Sequence, residues 1–511
     1  MDSIRIKNLR CLADTGDIPI KPLTILVGAN STGKSTFLRV FPLLRQSVET
    51  KTSSPILWYA GHNGYVDFGT IKGAIRASEE SVCFGYKFEP TGTLLPILKE
   101  DSSGVSVEMI RGDLNIEIEL LPNKENESQT KVSKLTIDLN EDNAVLVFDD
   151  YGKVIGFDVN KYSLMNKLGE LEIKQTNAAR LIPVIFDNTK NFHWNYARNL
   201  VKILAHLYHK KTLPSSIHDI LIKIAGTEPK EFITKLKKIK PKVWQKNIAN
   251  LTNEVAKLIR DVSFACLIPS LLSFANENIS KFAKKVQYIA PSRAVAERFY
   301  RTRDISVAEI DHHGENLPMY INSLSTTQKE ELNEWLKKYF NIEVSIRNEG
   351  MHLEIMVSEQ SNASANNIAD IGFGYSEILP VILTLWSSVN EPLKYPSIIA
   401  IEQPELHLHP QLQAQLADVL VQITKLKKES FLRKGTLVSR KIPLMIETHG
   451  EAIIDRIGQL IEDGKAARDD IQVLLFEPDE DNGGVKVRAS QYDEDGCLVD
   501  WPYGFFTPNL D

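Results

Sequence analysis

Gly28-Ala29-Asn30-Ser31-Thr32-Gly33-Lys34-Ser35-Thr36 decides how this chain is read, because it fits G-x-x-x-x-G-K-[ST] at every fixed position. The preceding Leu23-Thr24-Ile25-Leu26-Val27 predicts a short buried strand, and Phe37-Leu38-Arg39-Val40-Phe41 begins a helix expected over residues 35–50. Strand, glycine loop and helix in that order is the setting that turns the pattern into a phosphate site. Gly28 and Gly33 let the backbone curl so that its N–H groups point inward at phosphate oxygens. On this chemistry Asn30, Ser31, Thr32, Gly33, Lys34, Ser35 and Thr36 form the nucleotide cradle, with Lys34 reaching the β- and γ-phosphates and Ser35 placing its hydroxyl on Mg²⁺.

The chain is 511 residues long, enough for two to four domains' worth of core, and its 43% hydrophobic and 25% charged content is that of a globular protein. A net charge of −6 gives no global pull toward nucleic acid, so any such contact must come from a local basic patch. Cys11, Cys83, Cys266 and Cys497 lie far apart without a C-x-x-C pair, which fits a reducing cytoplasm and argues against a metal knuckle. The opening Asp2-Ser3-Ile4-Arg5-Ile6 carries no apolar signal core and no apolar run approaches spanning length, so the expectation is a cytoplasmic protein with no membrane association.

Residues 4–9, 18–20 and 23–27 predict three early strands, with a turn at Asp14-Thr15-Gly16-Asp17. From about 63 to 160 the pattern is β-rich, with strands expected at 81–88, 105–121, 132–139 and 144–148. Between 191 and 284 the apolar period changes to 3.6, predicting helices at 196–211, 217–225, 229–240 and 243–262 punctuated by Pro214, Pro229, Pro241 and Pro269. These prolines rule out a long coiled-coil arm and predict a compact helical insert. The insert is basic through Lys210, Lys211, Lys223, Lys230, Lys235, Lys237, Lys238, Lys240, Lys242 and Lys246; a solvated helix face and a partner-contacting surface both explain that charge. Trp244 reads as core or as a base-stacking residue. After Val286 strands and helices alternate again: strands at 287–290, 343–347 and 353–357, and a helix at 325–340.

The second chemical cluster lies near the other end. Residues 395–402 predict a buried strand ending in Glu402, followed by Gln403-Pro404-Glu405-Leu406-His407-Leu408-His409-Pro410. Residues 442–446 predict another, ending in Glu447-Thr448-His449-Gly450, where a histidine can reach a γ-phosphate. Upstream, Asp370-Ile371-Gly372-Phe373-Gly374-Tyr375-Ser376-Glu377 opens a helix expected over 376–386, and glycines with a serine at a helix start again suit an anion.

The order of phosphate loop, glycine–serine signature, E-Q-P-E-x-H-L-H-P after an apolar strand and E-T-H after another resembles the ABC-type ATPases of the SMC, recombination-repair and OLD branch. Within it the chain resembles the stand-alone bacterial defence ATPases of the Septu (PtuA) family, some of them retron-associated. Tyr288-Ile289-Ala290-Pro291-Ser292-Arg293 and the tail Asp500-Trp501-Pro502-Tyr503-Gly504-Phe505-Phe506 are similar to that branch as well. The resemblance implies an α/β fold: an ABC-type P-loop ATPase head formed by both chain ends, with a β-rich extension and an inserted basic helical domain. Its expected parts are 1–70 and 286–476 as the two halves of the head, 71–190 as the extension, 191–285 as the insert and 477–511 as a small tail domain.

The resemblance also implies ATP and Mg²⁺ as cofactors, with Lys34 and Ser35 on phosphate and metal and Glu402 as the acid beside Mg²⁺. Gly372, Gly374 and Ser376 match the signature that closes on a second subunit's ATP, and His449 matches the switch histidine. Gln403 stands where that pattern has the water-polarising glutamate; glutamine orients a water but accepts no proton, so either Glu405 substitutes or hydrolysis is slow. Gln46 and the segment 65–69 are the candidates for the lid loop. The partners implied are a homodimer or larger homo-oligomer, an HNH-type (PtuB-like) nuclease subunit, and nucleic acid or a retron reverse transcriptase with its noncoding RNA at the basic insert.

Two other functions compete: a DNA-repair or SMC-like ATPase acting on DNA, and a transporter's nucleotide-binding subunit. The missing long arm weighs against the first. The more than 300 residues between loop and signature weigh against the second. Asp479, Glu480, Asp481, Asp493, Glu494 and Asp495 are expected to be solvated turns rather than a nuclease metal site.

Overall fold

The computed structural model describes residues 1–52, 54–89, 95–101, 104–110, 112–126, 129–165, 172–174, 180–186, 192–239, 243–244, 252–302, 307, 309–359, 364–390, 396–426, 428–431, 437–479 and 483–502. It divides into two units: Met1–Pro19 with Leu43–Lys284, and Ile20–Pro42 with Lys285–Asp511. The second is thus built from both chain ends, as the expected α/β P-loop ATPase fold requires.

The core of that second unit is a sheet in the order Val485–Ser490, Ile471–Pro478, Leu23–Gly28, Leu444–Glu447, Ile398–Glu402, Val286–Ile289. The last five run parallel, and only the Val485–Ser490 edge is antiparallel. Parallel strands covered on both faces read as unbroken apolar runs, and Leu23–Gly28 is buried at all six residues. Register brings the strand ends level: Glu402 pairs with Glu447, and Glu447 with Leu26. The carboxyl edge of such a sheet is where ligands bind in α/β folds.

Helices Phe373–Asn390, Pro410–Lys425 and Glu451–Glu462 contribute to one apolar core with these strands. Thr326–Phe340 begins at a reciprocal Ser325/Gln328 cap, ends at left-handed Asn341, and leads into the antiparallel pair Ile342–Glu349 and His352–Glu359. The tail packs on the same core through Tyr492, Leu498 and Trp501. There the turn at Gly496 approaches the helix so closely that a Cβ on Gly458 would lie 2.3 Å from the Gly496 carbonyl oxygen. Residues 480–482 and 503–511 of the acidic turn and tail lie outside the described residues.

The helix expected over 35–50 is two, Lys34–Leu38 and Val40–Glu49, separated at Arg39. Pro42 has no N–H for the Leu38 carbonyl, which accounts for the interruption.

The other unit is antiparallel throughout, in the order Tyr162–Ser163, Val154–Val159, Asp142–Phe148, Thr130–Leu139, Leu114–Pro122, Val82–Phe88, Ser3–Leu9, Leu12–Asp14, with Ile18–Pro19 also on Ser3–Leu9. The long strand expected over 105–121 is two, Gly104–Ile110 and Leu114–Pro122. Helices of this unit include Phe192–Ile203, Pro214–Ile224, Pro229–Lys238 and Asn253–Ala283.

The last helix corrects the sequence reading, which placed a helix at 243–262 and took Pro269 as a break. It runs 31 residues straight through Pro269. The carbonyl that Pro269 leaves unpaired belongs to Ala265, four residues earlier, and the Tyr196 hydroxyl donates to it at 2.8 Å. Among the described residues this is the one helix long and apolar enough to cross a membrane, and 78% of its apolar window is buried inside the fold. Trp244 is also buried, 4% exposed, which removes it as a base-stacking platform. Lys240, Lys242 and Lys246 lie outside the described residues.

Candidate functional site

Every residue of the phosphate loop and of the Glu402 and His449 clusters falls in the second unit. The loop leaves its strand at Gly28, whose φ is +156°; a Cβ there would meet the Phe476 carbonyl oxygen at 2.6 Å. Ala29, Asn30 and Ser31 form an exposed lip, and Ser31 is left-handed at φ 64°. Thr32 Oγ1 donates to the Ala29 carbonyl at 2.8 Å and tightens the turn. Lys34 is 3% exposed and its Nζ donates to the carbonyls of Gly28 (3.0 Å) and Ala29 (2.6 Å). Burial lowers its pKa, opposed by the nearby Glu447. Phosphate is the natural partner for an ammonium held in this way.

Ser35 Oγ donates to Glu447 Oε1 at 2.8 Å. Glu402 is instead clasped by Arg39, with Nε on Oε1 and Nη2 on Oε2, both at 2.7 Å, while the Tyr288 hydroxyl donates to Oε1 at 2.7 Å. The planar guanidinium fork matches the carboxylate edge to edge. Glu447, 2% exposed, has its pKa pushed up to about 7, first by burial and then, against the Ser35 hydrogen bond, by the charge of Glu402.

Gln403 leaves the strand in a left-handed conformation, φ 43°, and its N–H donates to the Glu447 carbonyl at 2.8 Å. His407, at φ 60°, is the second left-handed residue of that turn. Between them Glu405 is 8% exposed, and its Oε1 accepts from the His449 N–H at 2.7 Å. Burial raises the Glu405 pKa; burial and then Lys34 lower that of His449. His409 caps the next helix, its Nδ1 accepting from the Gln411 N–H.

Arg293, 5% exposed, fixes this turn from the neighbouring strand's end. Its Nη2 donates to the Glu402 carbonyl at 3.0 Å and the Gln403 carbonyl at 3.3 Å, and its Nη1 lies 3.4 Å from Glu377 Oε2. Burial lowers its pKa, with Glu377 opposing. Glu377 lies in the first turns of Phe373–Asn390, so Arg293 ties the glycine–serine signature to the Glu402 turn. That helix starts three residues earlier than expected and takes in Gly374 and Ser376. Gly372 is exposed at φ 86°, whereas Ser376 is 8% exposed. Gln46 and the 65–69 segment, in the other unit, hydrogen-bond to each other: Gln46 Oε1 accepts from the N–H groups of Tyr65 and Val66.

Sequence reasoning overlooked Arg39, Glu447, Tyr288 and Arg293 as site residues. One signal was present: Glu447, like Glu402, ends a buried apolar strand. Among the described residues no group of three or more His, Cys, Asp and Glu side chains is placed to hold a metal ion. The donors at hand beside Ser35 are hard oxygens. They suit Mg²⁺, which is held by one or two carboxylates together with substrate phosphates. Ser35 and Glu447 therefore fit that ion.

No curated protein matches this chain. Among solved structures it is similar to an Smc head bound to the C-winged helix domain of ScpA, at 10% identity and a TM-score of 0.36, with 96% of this chain and 98% of that one covered. It is similar to an Smc head with an extended coiled coil bound to the C-terminal domain of ScpA, from Pyrococcus furiosus, at 10% identity, TM-score 0.35 and coverage of 96% and 95%. The SMC head domain from Thermotoga maritima gives 8% identity, TM-score 0.34 and coverage of 95% and 97%. The family described as AAA ATPase domain matches residues 1–454, most of the length, and this chain belongs to that family.

Proposed function

We propose that this chain is an ABC-type ATPase that binds ATP·Mg²⁺ at residues 28–36, hydrolyses it slowly, closes on a second copy around the nucleotide and governs a partner nuclease in bacterial anti-phage defence. The observation that supports it most is the convergence of Lys34, Ser35, Glu402, Gln403, Glu405, Glu447 and His449 at the carboxyl edge of one parallel sheet. In this reading the loop amides and Lys34 hold the β- and γ-phosphates. Ser35 and one of the strand-end acids Glu402 and Glu447 would hold Mg²⁺, whose charge would offset that of the phosphates. His449 faces the γ-phosphate, while Gln403 orients the attacking water without taking its proton, which makes turnover slow. Glu405, two residues on, is the carboxylate that would take that proton instead.

Gly372, Gly374 and Ser376 serve the second copy's ATP, so the dimer has two-fold symmetry and each subunit lends its signature to the other. Residues 1–70 and 286–476 act as the head, 71–190 as its extension, 191–285 as the insert and 477–511 as the tail. The nuclease is a separate HNH-type, PtuB-like subunit in the cytoplasm, and the basic insert is the surface offered to it, to nucleic acid or to a retron's reverse transcriptase and RNA. The resemblance to Septu ATPases supports these finer assignments.

Light scattering with and without a non-hydrolysable ATP analogue tests the reading. Wild type is expected as a dimer or larger assembly with nucleotide, Lys34→Ala to lose nucleotide binding, and Gly372→Glu to bind nucleotide without the ATP-dependent assembly. A wild type that stays monomeric with nucleotide bound would sink the sandwich. ATPase stimulation by linear DNA with no nuclease partner would favour the DNA-repair reading instead, and robust cleavage by the purified chain alone would refute the separate nuclease.

A further inference from the structure

Glu402 and Glu447 are register partners at the ends of neighbouring parallel strands, one strand apart from the phosphate loop and next to it, respectively. Position alone makes them equivalent candidates for the acid beside the metal. Their side chains are not equivalent. Both Glu402 oxygens are occupied by Arg39, and Oε1 also takes the Tyr288 hydroxyl. Its charge is already balanced by a guanidinium. Glu447 has one oxygen on Ser35 Oγ, and the other, Oε2, is buried without a hydrogen-bond partner. Leaving a carboxylate oxygen dry and unpaired is costly, and folded proteins tolerate it where something that binds completes the shell.

We infer that Glu447, and not Glu402, is the carboxylate that contacts the divalent cation beside Ser35, directly or through one of the cation's waters, while Glu402 is a positioning group locked by Arg39 and Tyr288. This rests on the reading of the loop as an ATP·Mg²⁺ site. A hydroxyl and a carboxylate 2.8 Å apart present two hard oxygen donors to one point. A small cation that keeps several waters and takes one or two carboxylates with phosphate oxygens needs no more from the protein. Lys34 supplies its positive charge to phosphate and so does not compete for Glu447 Oε2. The strand carrying Glu447 lies between the loop strand and the Glu402 strand, so Glu447 is the nearer acid in the sheet.

Mn²⁺ serves as the spectroscopic probe. The full chain is titrated with Mn²⁺ by electron paramagnetic resonance in the presence of a non-hydrolysable ATP analogue, and fluorescent ATP binding is measured separately in EDTA. Glu447→Gln is expected to weaken Mn²⁺ in the ternary complex by roughly 10–100-fold, the scale on which metal-site partners act, and by more than it changes nucleotide binding in EDTA. Glu447→Asp, which keeps the charge but retracts it, is expected to fall between. Glu402→Gln is expected to show its effect in the melting temperature, with Mn²⁺ affinity changed less than by Glu447→Gln. Unchanged Mn²⁺ affinity in Glu447→Gln, or a larger loss in Glu402→Gln, overturns the inference while leaving the nucleotide site standing. If wild type fails to bind the fluorescent nucleotide, or Lys34→Ala binds it as tightly as wild type, the loop reading itself falls and takes this one with it.

Discussion

In the unit of residues 1–19 and 43–284, Asp142 and Asp261 are buried at 2% and 1% exposure, yet each has a partner built into the fold. Asp142 Oδ1 meets Arg260 Nε at 2.8 Å, and Asn160 Nδ2 bridges the two acids, donating to Asp142 at 3.0 Å and to Asp261 at 2.8 Å. In the unit of residues 20–42 and 285–511, Glu402 is closed in the same manner by Arg39, but its neighbours are not. Among the described residues the buried carboxylate oxygens without a hydrogen-bond partner are Glu405 Oε2 and Glu447 Oε2, both beside the end of the Glu402 strand. An antiparallel sheet packed on helices satisfies its acids on the spot. A parallel sheet collects them at one edge, where an incoming ligand can finish the job. On the proposed function, the difference separates acids that hold the fold from acids that meet a ligand.

The largest effect should come from adding a carboxylate to that open edge. Gln403→Glu places one at the strand-end turn, and a general base contributes roughly 10²–10⁴-fold to such a step. Steady-state phosphate release is expected to rise by about 100-fold or more. If the rate stays flat while Glu405→Gln abolishes it, Glu405 is the base and the edge was already complete.

Opening the closed acid should cost stability. Arg39→Ala leaves Glu402, at 1% exposure, without its cation, and removing one partner of a buried pair costs about 3–5 kcal/mol. Arg39 keeps 31% of its side-chain surface, so about 3 kcal/mol is expected, read from urea unfolding. The double variant with Glu402→Gln should recover part of that loss. A change below about 0.5 kcal/mol, the range of ordinary surface substitutions, would mean that Glu402 is not closed in the sense of Asp142.

Much of this edge was legible in the sequence, because strand, loop and motif are contiguous there. Gly28 to Thr36, Glu402 to Glu405 and His449 each sit in a short stretch whose local pattern fixes the element and carries the proposed chemistry. What escaped was the pairing between stretches. Ser35 meets Glu447 across 412 positions and Arg39 meets Glu402 across 363, and no local pattern records which of two strand-end acids a given side chain will reach. The same holds for the helix Asn253–Ala283. Pro269 is a local signal to stop, and the hydroxyl that overrules it belongs to Tyr196 on another helix.

That overruling hydroxyl gives the smallest effect, and it lies wholly on the structural side of the comparison. Tyr196→Phe removes the donor to a buried carbonyl that Pro269 cannot serve, and the loss of one such hydrogen bond should cost about 1 kcal/mol. The cause can be isolated with Pro269→Ala, which returns a backbone N–H to the Ala265 carbonyl. In that background Tyr196→Phe should cost less, because the carbonyl then has its helical partner. An equal cost in both backgrounds would show that the tyrosine stabilises the helix by packing and not by this bond. Nucleotide affinity should be the same in all three variants, in contrast to Glu447→Gln in the presence of metal. A change of more than about threefold in ATP binding by Tyr196→Phe, well above the noise of a fluorescence titration though under 1 kcal/mol, would mean that this unit's closed polar contacts are coupled to the open edge, and the division between the two kinds of buried polar group would have to be given up.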